Sequence, residues 1–311
     1  MRGTVVYETV YRYIDDSIPQ KAYESFFTYG IRKADRYRVT EKRGAIWMKL
    51  NWKKGVGYLM LFSLCFLSGR TAAAMQAGKA VTASGEKRGE LAILIDDFGY
   101  CGEGTEEMLA LPIPFTAAIM PFSACTESDA AAVRQAGKEI FIHMPMESLT
   151  GKKEWVGKKG VFRTMTDEEI RLRVEEAFSI LPDAAGMNNH MGSAIMEDQR
   201  SLSVVMDLLK ERDMLFVDSM TTAKSMGRTL AEEKGVSFLG RDVFLDSTDS
   251  LEQVKSNLRK AAEVALEKGE ALAIGHVGPE GGKVTAQAIK ELIPELEQAG
   301  ITFVTVYELA K

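Results

Sequence analysis

The sequence is poor in the residues that build metal clusters and disulfide frameworks. Its 311 residues include three cysteines and three histidines. Cys65, Cys101 and Cys125 have neither the spacing of a zinc cluster nor the density of a disulfide-stapled domain, which excludes both classes. Cys101 and Cys125 are able to pair in an oxidising compartment, but we expect them to be free thiols.

Signatures of two large enzyme classes are also missing. There is no G-x-S-x-G segment, which argues against a serine hydrolase of the α/β type. The glycine-rich segment GPEGGK, residues 278–283, lacks the spacing of a phosphate-binding P-loop. We interpret this segment as a loop at one rim of the fold.

Basic residues are scarce beyond the N-terminal quarter of the chain. The whole chain carries 39 Lys and Arg against 44 Asp and Glu, and its apolar fraction of 46% is that of a globular protein. Residues 1–74 hold 13 of the basic and 6 of the acidic residues, which leaves 26 basic and 38 acidic residues for the remainder. Such an acidic domain excludes nucleic acid as the expected partner, because phosphate binding needs a basic face.

An internal apolar run has the features of an export signal. Residues 48–74 read MKLNWKKGVGYLMLFSLCFLSGRTAAA, with a basic head, an apolar stretch at 56–67 and small residues at Ala72 and Ala74. We predict a signal peptide or membrane anchor at 48–74, preceded by a non-native or disordered extension at 1–47 and followed by a linker at 75–89. The alternative is a buried helix over 56–67.

From Glu90 onward, short apolar runs alternate with helical patterns. Thr166 and Glu169 form a capping box at the start of one helix, and Gly269 is a stop signal for another. Regular alternation of this kind indicates a parallel sheet covered by helices. We predict an α/β fold in which residues 90–311 form a distorted (β/α) barrel, with an open doubly wound sheet as the alternative. The predicted strands are Leu91–Ile95, Phe115–Ile119, Glu139–His143, Ala185–Asn189, Met214–Asp218, Val243–Leu245, Ala271–Gly275 and Ile301–Val306.

Carboxylates and imidazoles lie at the ends of the predicted strands. Asp96 and Asp97 follow the first strand, and His143, His190 and His276 each follow a later one. Because the carboxyl ends of parallel strands meet at one rim, we expect these side chains to converge. Zinc takes oxygen and nitrogen ligands, and a cation offsets the repulsion between two adjacent carboxylates. The sequence therefore predicts a divalent metal site, with zinc as the favoured ion.

Six ordered segments make the chain resemble the divergent polysaccharide deacetylases. The segments are IDDFGY, HMPME, NNHMGS, FVDSMTT, GRDVFLD and AIGHVGP, and they extend from about Leu91 to the C-terminal part of the chain. The family is related to metal-dependent carbohydrate esterases that remove N-acetyl groups from the sugars of chitin and peptidoglycan. The resemblance implies a distorted (β/α) barrel, usually seven-stranded, with a divalent metal such as zinc.

The resemblance also implies a set of metal ligands. In the related esterases the second aspartate of the pair is a ligand, and an H-x-x-x-H motif supplies two histidines. Carried over, Asp97 and His143 are ligands, but Glu147 occupies the second motif position in this chain. His190 is the expected replacement ligand, and Glu147 is the alternative.

Roles in proton transfer follow from the same resemblance. Asp96, the first aspartate of the pair, is the expected base for the attacking water. His276 is the expected acid for the leaving amine, and Asp218 is expected to orient it. A backbone N–H of the Phe98–Gly99 turn is expected to stabilise the oxyanion.

Several further polar and aromatic residues have two interpretations each. Asn188 and Asn189 replace the arginine motif of the esterases, and they either bind metal or substrate hydroxyls or tie the backbone at a tight bend. We interpret Asp246 and the pair Arg241-Asp242 as structural braces. Aromatic residues suited to stacking on sugars are Tyr100, Trp155 and Phe162.

We therefore predict an exported, metal-dependent hydrolase that removes acetyl groups from N-acetylated envelope sugars. Its expected partner is a polysaccharide or a peptidoglycan-type glycan, and it is expected to contact the membrane only through the N-terminal segment. One alternative is a barrel that binds a glycan or an envelope protein and keeps the metal as a structural brace. Another is a hydrolase of a different bond, such as a phosphoester, for which an acidic domain is a poor host.

Overall fold

A computed structural model describes residues 88–311, except Lys158, Asp249, Pro279 and Glu280. The predicted extension at 1–47, the predicted signal peptide or anchor at 48–74 and nearly all of the predicted linker lie outside the described residues. Among the described helices, none combines the length and the apolar character needed to cross a membrane. The described residues thus comprise the region predicted to form the α/β domain.

The described residues form one sheet of nine strands. The strands are β1 (Gly89–Phe98), β2 (Thr116–Ile119), β3 (Glu139–Met146), β4 (Gly186–Met191), β5 (Leu215–Asp218), β6 (Phe238–Gly240), β7 (Val243–Phe244), β8 (Glu270–His276) and β9 (Ile301–Val304). They are hydrogen-bonded in the order β6-β5-β4-β3-β2-β1-β8-β7, and β9 pairs with the first residues of β1. All of these pairings are parallel.

Helices connect and cover the strands. They are α1 (Thr105–Leu109), α2 (Thr126–Gln135), α3 (Lys153–Val156), α4 (Asp167–Ile180), α5 (Ser193–Met196), α6 (Gln199–Glu211), α7 (Gly227–Lys234), α8 (Leu251–Lys268), α9 (Gly282–Gln298) and α10 (Val306–Leu309). Helix α4 begins at the predicted capping box, in which the Thr166 hydroxyl accepts the Glu169 N–H at 3.2 Å. Helix α8 ends at the predicted stop, Gly269, whose φ of 97° is the left-handed conformation that glycine favours.

The sheet curls into a distorted barrel, which confirms the predicted fold class. Strands β6 and β7 stand at its two edges, and the short chain between them spans the gap. The Arg241 N–H donates to the Asp218 carbonyl on β5 at 3.1 Å, and the Asp242 N–H donates to the Leu272 carbonyl on β8 at 2.9 Å. These two bonds connect the edges, so the alternative of an open doubly wound sheet does not apply.

Alternate strand residues face the inside of the barrel and form an apolar cluster. Helix α10 closes one end of this cluster with Val306 and Leu309. The remaining members on the strands are Ala92, Leu94, Ala118, Phe141, Leu215, Val217, Leu272 and Ile274. Because side chains alternate along a strand, the next inward position lies two residues further on.

Polar residues occupy that next inward position on four strands. Each of them is buried, so the apolar interior ends in a polar layer at the carboxyl ends of the strands. Each polar residue lies two positions after an inward-facing residue of its strand: Asp96 follows Leu94, His143 follows Phe141, Asn188 follows Gly186 and His276 follows Ile274. The convergence predicted from strand ends therefore has a simple geometric origin.

The strand pattern differs from the prediction in two respects. The sheet has nine strands: the eight predicted from the sequence and the short, half-buried β6, which was not predicted. The resemblance implied seven. Strands β3 and β4 also run beyond the predicted ends at His143 and Asn189. They continue because Met146 and Met191 pair with each other, and Met146 also bridges to Val161.

Candidate metal centre and acid–base pair

The two adjacent aspartates reach one site because β1 is irregular there. In a regular strand, consecutive side chains point to opposite faces. The pairing of β1 with β2 shifts register between Ile95 and Phe98, and Asp97 has a left-handed backbone with φ 67°. Such a bulge re-aims a side chain. An Asp96 oxygen consequently lies 3.5 Å from His143 Nδ1, while an Asp97 oxygen lies 3.4 Å from Nε2 of the same ring.

Three atoms able to bind a metal converge at this rim. His143 Nε2 lies 3.4 Å from Asp97 Oδ1 and 3.1 Å from His190 Nδ1, and the Asp97 and His190 atoms are 3.2 Å apart. Ligand atoms bound to a tetrahedral zinc ion at about 2.0–2.1 Å are separated by about 3.3–3.4 Å. Asp97, His143 and His190 form the ligating group found among the described residues. Their spacing fits one zinc ion.

Within the described residues, one oxygen of the Asp97 carboxylate lacks a hydrogen-bond partner. Its Oδ1 is buried and accepts no hydrogen bond within the described part of the chain. A buried polar atom in that state is costly, and a bound cation supplies what it lacks. Burial raises the pKa of Asp97, but the adjacent imidazoles of His143 and His190 outweigh this and hold the pKa well below its usual range. The carboxylate is therefore ionised, which is the form that ligates a metal.

Asn188 links a candidate ligand to the expected base. Its Oδ1 lies 2.9 Å from His143 Nδ1, and its Nδ2 donates to Asp96 Oδ1 at 2.9 Å and to the Ser219 hydroxyl at 3.2 Å. Because the amide oxygen accepts, His143 carries a proton on Nδ1, and Nε2, which faces Asp97, is the nitrogen left to bind a metal. Asn188 is fully buried, so it positions these groups rather than contacting substrate.

Asp96 has the properties of a base at neutral pH. Its side chain is buried, and burial is the main reason that its pKa is raised. The charge of Asp97 raises the pKa further, whereas His143 and His276 act in the opposite direction. A carboxylate with a raised pKa is a stronger proton acceptor than an ordinary one. Asp96 on β1 and His276 on β8 are also direct register partners.

His276 is held by Asp246. The Nδ1 of His276 donates to Asp246 Oδ1 at 2.8 Å, and the His276 backbone N–H donates to Oδ2 at 2.7 Å. The Thr285 hydroxyl donates to the same Oδ2 at 2.7 Å. A side chain at position 281 would collide with this oxygen, because a Cβ on Gly281 would lie only 2.1 Å from it. Burial lowers the pKa of His276, but the bond to Asp246 and the charge of Asp96 outweigh it and raise the pKa to about 9. His276 is therefore protonated at neutral pH, as an acid must be.

The expectation that Asp218 orients His276 is wrong. The carboxylate of Asp218 accepts hydrogen bonds from the Met220 N–H at 2.7 Å and from the Ser225 hydroxyl at 2.5 Å. The preceding residue of β5 faces the barrel interior, so strand alternation turns Asp218 away from the site. Asp246, which the sequence led us to interpret as a brace, occupies the orienting position.

The expectation of two free thiols is also wrong. Cys101 and Cys125 form a disulfide with their Cα atoms 5.5 Å apart. Cys125 lies immediately before α2, so the bond connects the loop after Asp97 to the start of that helix. Sequence spacing gave no sign of this pairing, because the two cysteines lie in the loops after neighbouring strands.

Asp129 on α2 holds the same loop from within. Its buried carboxylate accepts the Gly99 N–H at 2.6 Å and the Cys101 N–H at 3.3 Å. Asp97, Gly99 and Cys101 all have left-handed backbones, with φ values of 67°, 109° and 52°. We call Asp129 and the disulfide the loop clamp, because they fix this unusual backbone. The Gly99 N–H is bound to Asp129, so it does not fill the expected oxyanion role.

Glu147 and Asn189 lie outside the ligand group. Glu147 accepts the Arg163 N–H at 2.7 Å and a guanidinium N–H of the same residue at 3.3 Å. Asn189 Oδ1 accepts the Ser219 N–H at 3.0 Å, and its Nδ2 donates to the Met191 carbonyl at 2.7 Å. Of the two interpretations given for Asn189, the structure matches the one in which it ties the backbone.

The sequence patterns indicated no role in the site for Asp129 and no orienting role for Asp246. The signal for Asp246 was present, since it follows a short predicted strand as the other site residues do. Asp129 has no comparable signal, because an acidic residue in the first turn of a helix is common for electrostatic reasons alone.

Comparisons with known proteins identify the family of this chain. The sequence matches the family described as divergent polysaccharide deacetylase over residues 93–310. It is 33% identical over 212 residues to an uncharacterized protein of Haemophilus influenzae, covering 68% of this chain and 75% of that protein. It is 32% identical over 208 residues to the uncharacterized protein YibQ of Escherichia coli, covering 67% of this chain and 65% of that protein.

A solved structure shares the fold. It is the uncharacterized protein ATU2773 of Agrobacterium tumefaciens, with a TM-score of 0.66 and 21% identity over 73% of this chain and 91% of that chain. The family match over residues 93–310 includes the three candidate ligands and both members of the acid–base pair. The chain therefore belongs to the divergent polysaccharide deacetylase family.

Proposed function

We propose that the protein is an exported, metal-dependent hydrolase that removes acetyl groups from N-acetylated envelope sugars. The observation that carries the proposal is the convergence of Asp97, His143 and His190 at the spacing of one tetrahedral ion. A buried carboxylate and a protonated imidazole, Asp96 and His276, are register partners on the neighbouring strands β1 and β8. The family to which the chain belongs supplies the chemical class of the substrate.

Zinc fits the donor atoms of this site. Asp97, His143 and His190 would hold the ion, and three protein ligands leave a position free for water or substrate. When bound, zinc polarises the acetamide carbonyl and lowers the pKa of water. Asn188 supports this arrangement from behind by fixing the proton of His143 on the nitrogen that faces away.

The protein's own residues then move the protons. Asp96 accepts the proton of the water that attacks the carbonyl carbon, for which its raised pKa suits it. His276 gives its proton to the sugar nitrogen as the C–N bond breaks, so that acetate and a free amine leave. Asp246 keeps the His276 ring in place and stabilises its protonated form.

Two observations support export. Disulfides such as Cys101–Cys125 persist in oxidising compartments and are rare in the cytosol. The order of basic, apolar and small residues at 48–74 is that of an export signal. The proposed location is the periplasm, the extracellular space or the outer face of a membrane. Mass spectrometry of the exported protein tests this, since a cleaved signal predicts a mature chain that begins after about residue 74.

Acetate release from N-acetylglucosamine oligomers tests the catalytic proposal. Zinc-loaded protein should release acetate, and Asp96→Asn and His276→Gln should each slow the release by about 10²–10⁴-fold. Asp218→Asn is the matched control, because it removes a strand-end carboxylate that faces away from the site. Its rate should stay close to that of the unmodified protein.

Two results would change the assignment. An Asp96→Asn variant with full activity would show that another group is the base. Zinc-loaded protein that binds the oligomers but releases no acetate would favour the alternative of a glycan-binding barrel.

A further inference from the structure

One segment of the domain has the opposite charge to the rest. Residues 151–163, which we call the basic loop, read GKKEWVGKKGVFR and contain five Lys or Arg residues and one Glu. The chain after residue 74 holds 26 basic and 38 acidic residues, so the basic loop is a local reversal of sign. Gly151 and Gly157 each precede a Lys-Lys pair in the sequence, and their φ values of 101° and 82° are left-handed. This conformation favours glycine.

The basic loop adjoins the candidate metal centre. It leaves β3 after Met146 and returns to it at Val161, which bridges to Met146. Just before the loop, the Leu149 N–H donates to the Ser193 hydroxyl at 2.9 Å, at the end of β4. A Cβ at Gly151 would lie 3.1 Å from the side chain of Met191, the residue after the candidate ligand His190. The loop and the ligand therefore belong to the same rim.

Part of the positive charge in the basic loop is uncompensated. Arg163 is paired with Glu147 at 3.3 Å, and Lys159 is paired with Glu176 at 2.5 Å. Lys152 and Lys153 are exposed, and no carboxylate in the described part of the chain forms an ion pair with either.

An exposed aromatic side chain lies beside these two lysines. Trp155, on α3, has 54% of its surface exposed. An exposed indole offers a flat apolar face with a polar edge, on which a sugar ring can stack.

We infer that Lys152 and Lys153 of the basic loop bind the carboxylate groups of an acidic glycan and that Trp155 stacks on one of its sugar rings. This inference rests on the proposed function and narrows its substrate class to glycans that carry carboxylates. Lysine ammonium groups bind carboxylates as point charges. The one arginine of the loop already pairs with Glu147. The acidic residues elsewhere on the domain would repel an acidic glycan. The basic loop therefore also determines where the glycan binds.

Binding of an acidic and of a neutral N-acetylated glycan tests the inference. Hyaluronan oligosaccharides carry both N-acetyl groups and carboxylates, and chitin oligosaccharides of equal length carry only N-acetyl groups. Full-length protein should bind hyaluronan oligosaccharides more tightly, and the preference should shrink between about 50 and about 300 mM NaCl as salt screens the charges. Lys152→Gln/Lys153→Gln should weaken hyaluronan binding about ten-fold and leave chitin binding nearly unchanged.

Two control variants make the test specific. Lys260→Gln/Lys290→Gln removes two exposed lysines from α8 and α9, and it should leave both affinities unchanged. Trp155→Ala should weaken binding of both glycans, because stacking does not depend on charge. Zinc affinity should be the same in all variants, since the basic loop supplies no ligand.

The inference fails if hyaluronan affinity is unchanged in Lys152→Gln/Lys153→Gln, or if both glycans lose affinity equally. It also fails if the variant loses binding only to vesicles of anionic lipid, which would identify a membrane as the occupant. Protein that binds hyaluronan through these lysines but releases no acetate from any glycan would refute the proposed function and leave this inference standing.

Discussion

Replacing Asp129 by alanine tests whether the loop clamp holds a metal ligand in place. The Asp129 carboxylate accepts the Gly99 N–H at 2.6 Å in a buried position, two residues after Asp97. Without that acceptor the Gly99 N–H is left buried and unpaired, at a cost of about 1–3 kcal/mol. The second bond, to the Cys101 N–H, is longer at 3.3 Å and contributes less. We expect the free energy of unfolding to fall by about 2 kcal/mol.

The same change should weaken metal binding. The left-handed conformation of Asp97, with φ 67°, costs about 1–3 kcal/mol and persists only where the surroundings impose it. When Gly99 is released, Asp97 is free to relax, and its carboxylate no longer stays beside His143 and His190. We expect zinc affinity to fall about ten-fold, which corresponds to about 1.4 kcal/mol.

Two measurements on the same variants separate stability from positioning. Urea unfolding of metal-free protein gives the change in stability, and competition with a chelator gives the zinc affinity. Glu127→Ala is the matched control, because Glu127 is an exposed acid in the same first turn of α2. If Asp129→Ala is less stable but binds zinc as tightly as the unmodified protein, the positioning role is refuted. Equal effects of both variants would point instead to the helix dipole.

Two further predictions concern the groups behind the acid and the ligand. Asn188→Ala should weaken zinc binding by about 10–100-fold in chelator competition, because His143 loses the bond that fixes its proton; an unchanged affinity would contradict this. Asp246→Asn should move the titration of His276, followed by NMR in metal-free protein, from about 9 toward the ordinary 6.5. Because the folded-state pKa of His276 is the raised one, its interactions add stability of about 3 kcal/mol below pH 6.5. That stability is lost as the pH rises through about 9, so the stability gap between Asp246→Asn and the unmodified protein should close there. A stability difference between the two proteins that does not change with pH would contradict the conclusion that Asp246 raises the pKa of His276.

Much of the fold and the site follows from patterns that the sequence displays directly. Apolar runs at regular intervals indicate the parallel strands, and strand ends bring Asp96, His143, His190 and His276 to one rim. Strand alternation also excludes Asp218, which was wrongly predicted to orient His276. Asp218 directly follows an inward-facing residue of β5, so it cannot share the inner face.

Other features depend on three-dimensional contacts that no local pattern encodes. The bulge at Asp97 reflects a register shift between β1 and β2, which strand periodicity does not reveal. The disulfide and the bonds from Asp129 join segments 24 to 30 residues apart, and neither cysteine spacing nor helix charge indicates them. These contacts shape the loop that holds the aspartate pair, so the unpredicted features concentrate at the site itself.

Calorimetric titration of metal-free protein with zinc tests the metal site directly. The arrangement of Asp97, His143 and His190 predicts one zinc ion per chain, with binding lost in Asp97→Asn and His190→Gln. Binding should be retained in Glu147→Gln, because this carboxylate pairs with Arg163 instead. Failure to bind stoichiometric zinc, or unchanged binding in Asp97→Asn, would contradict the claim that these side chains hold a metal.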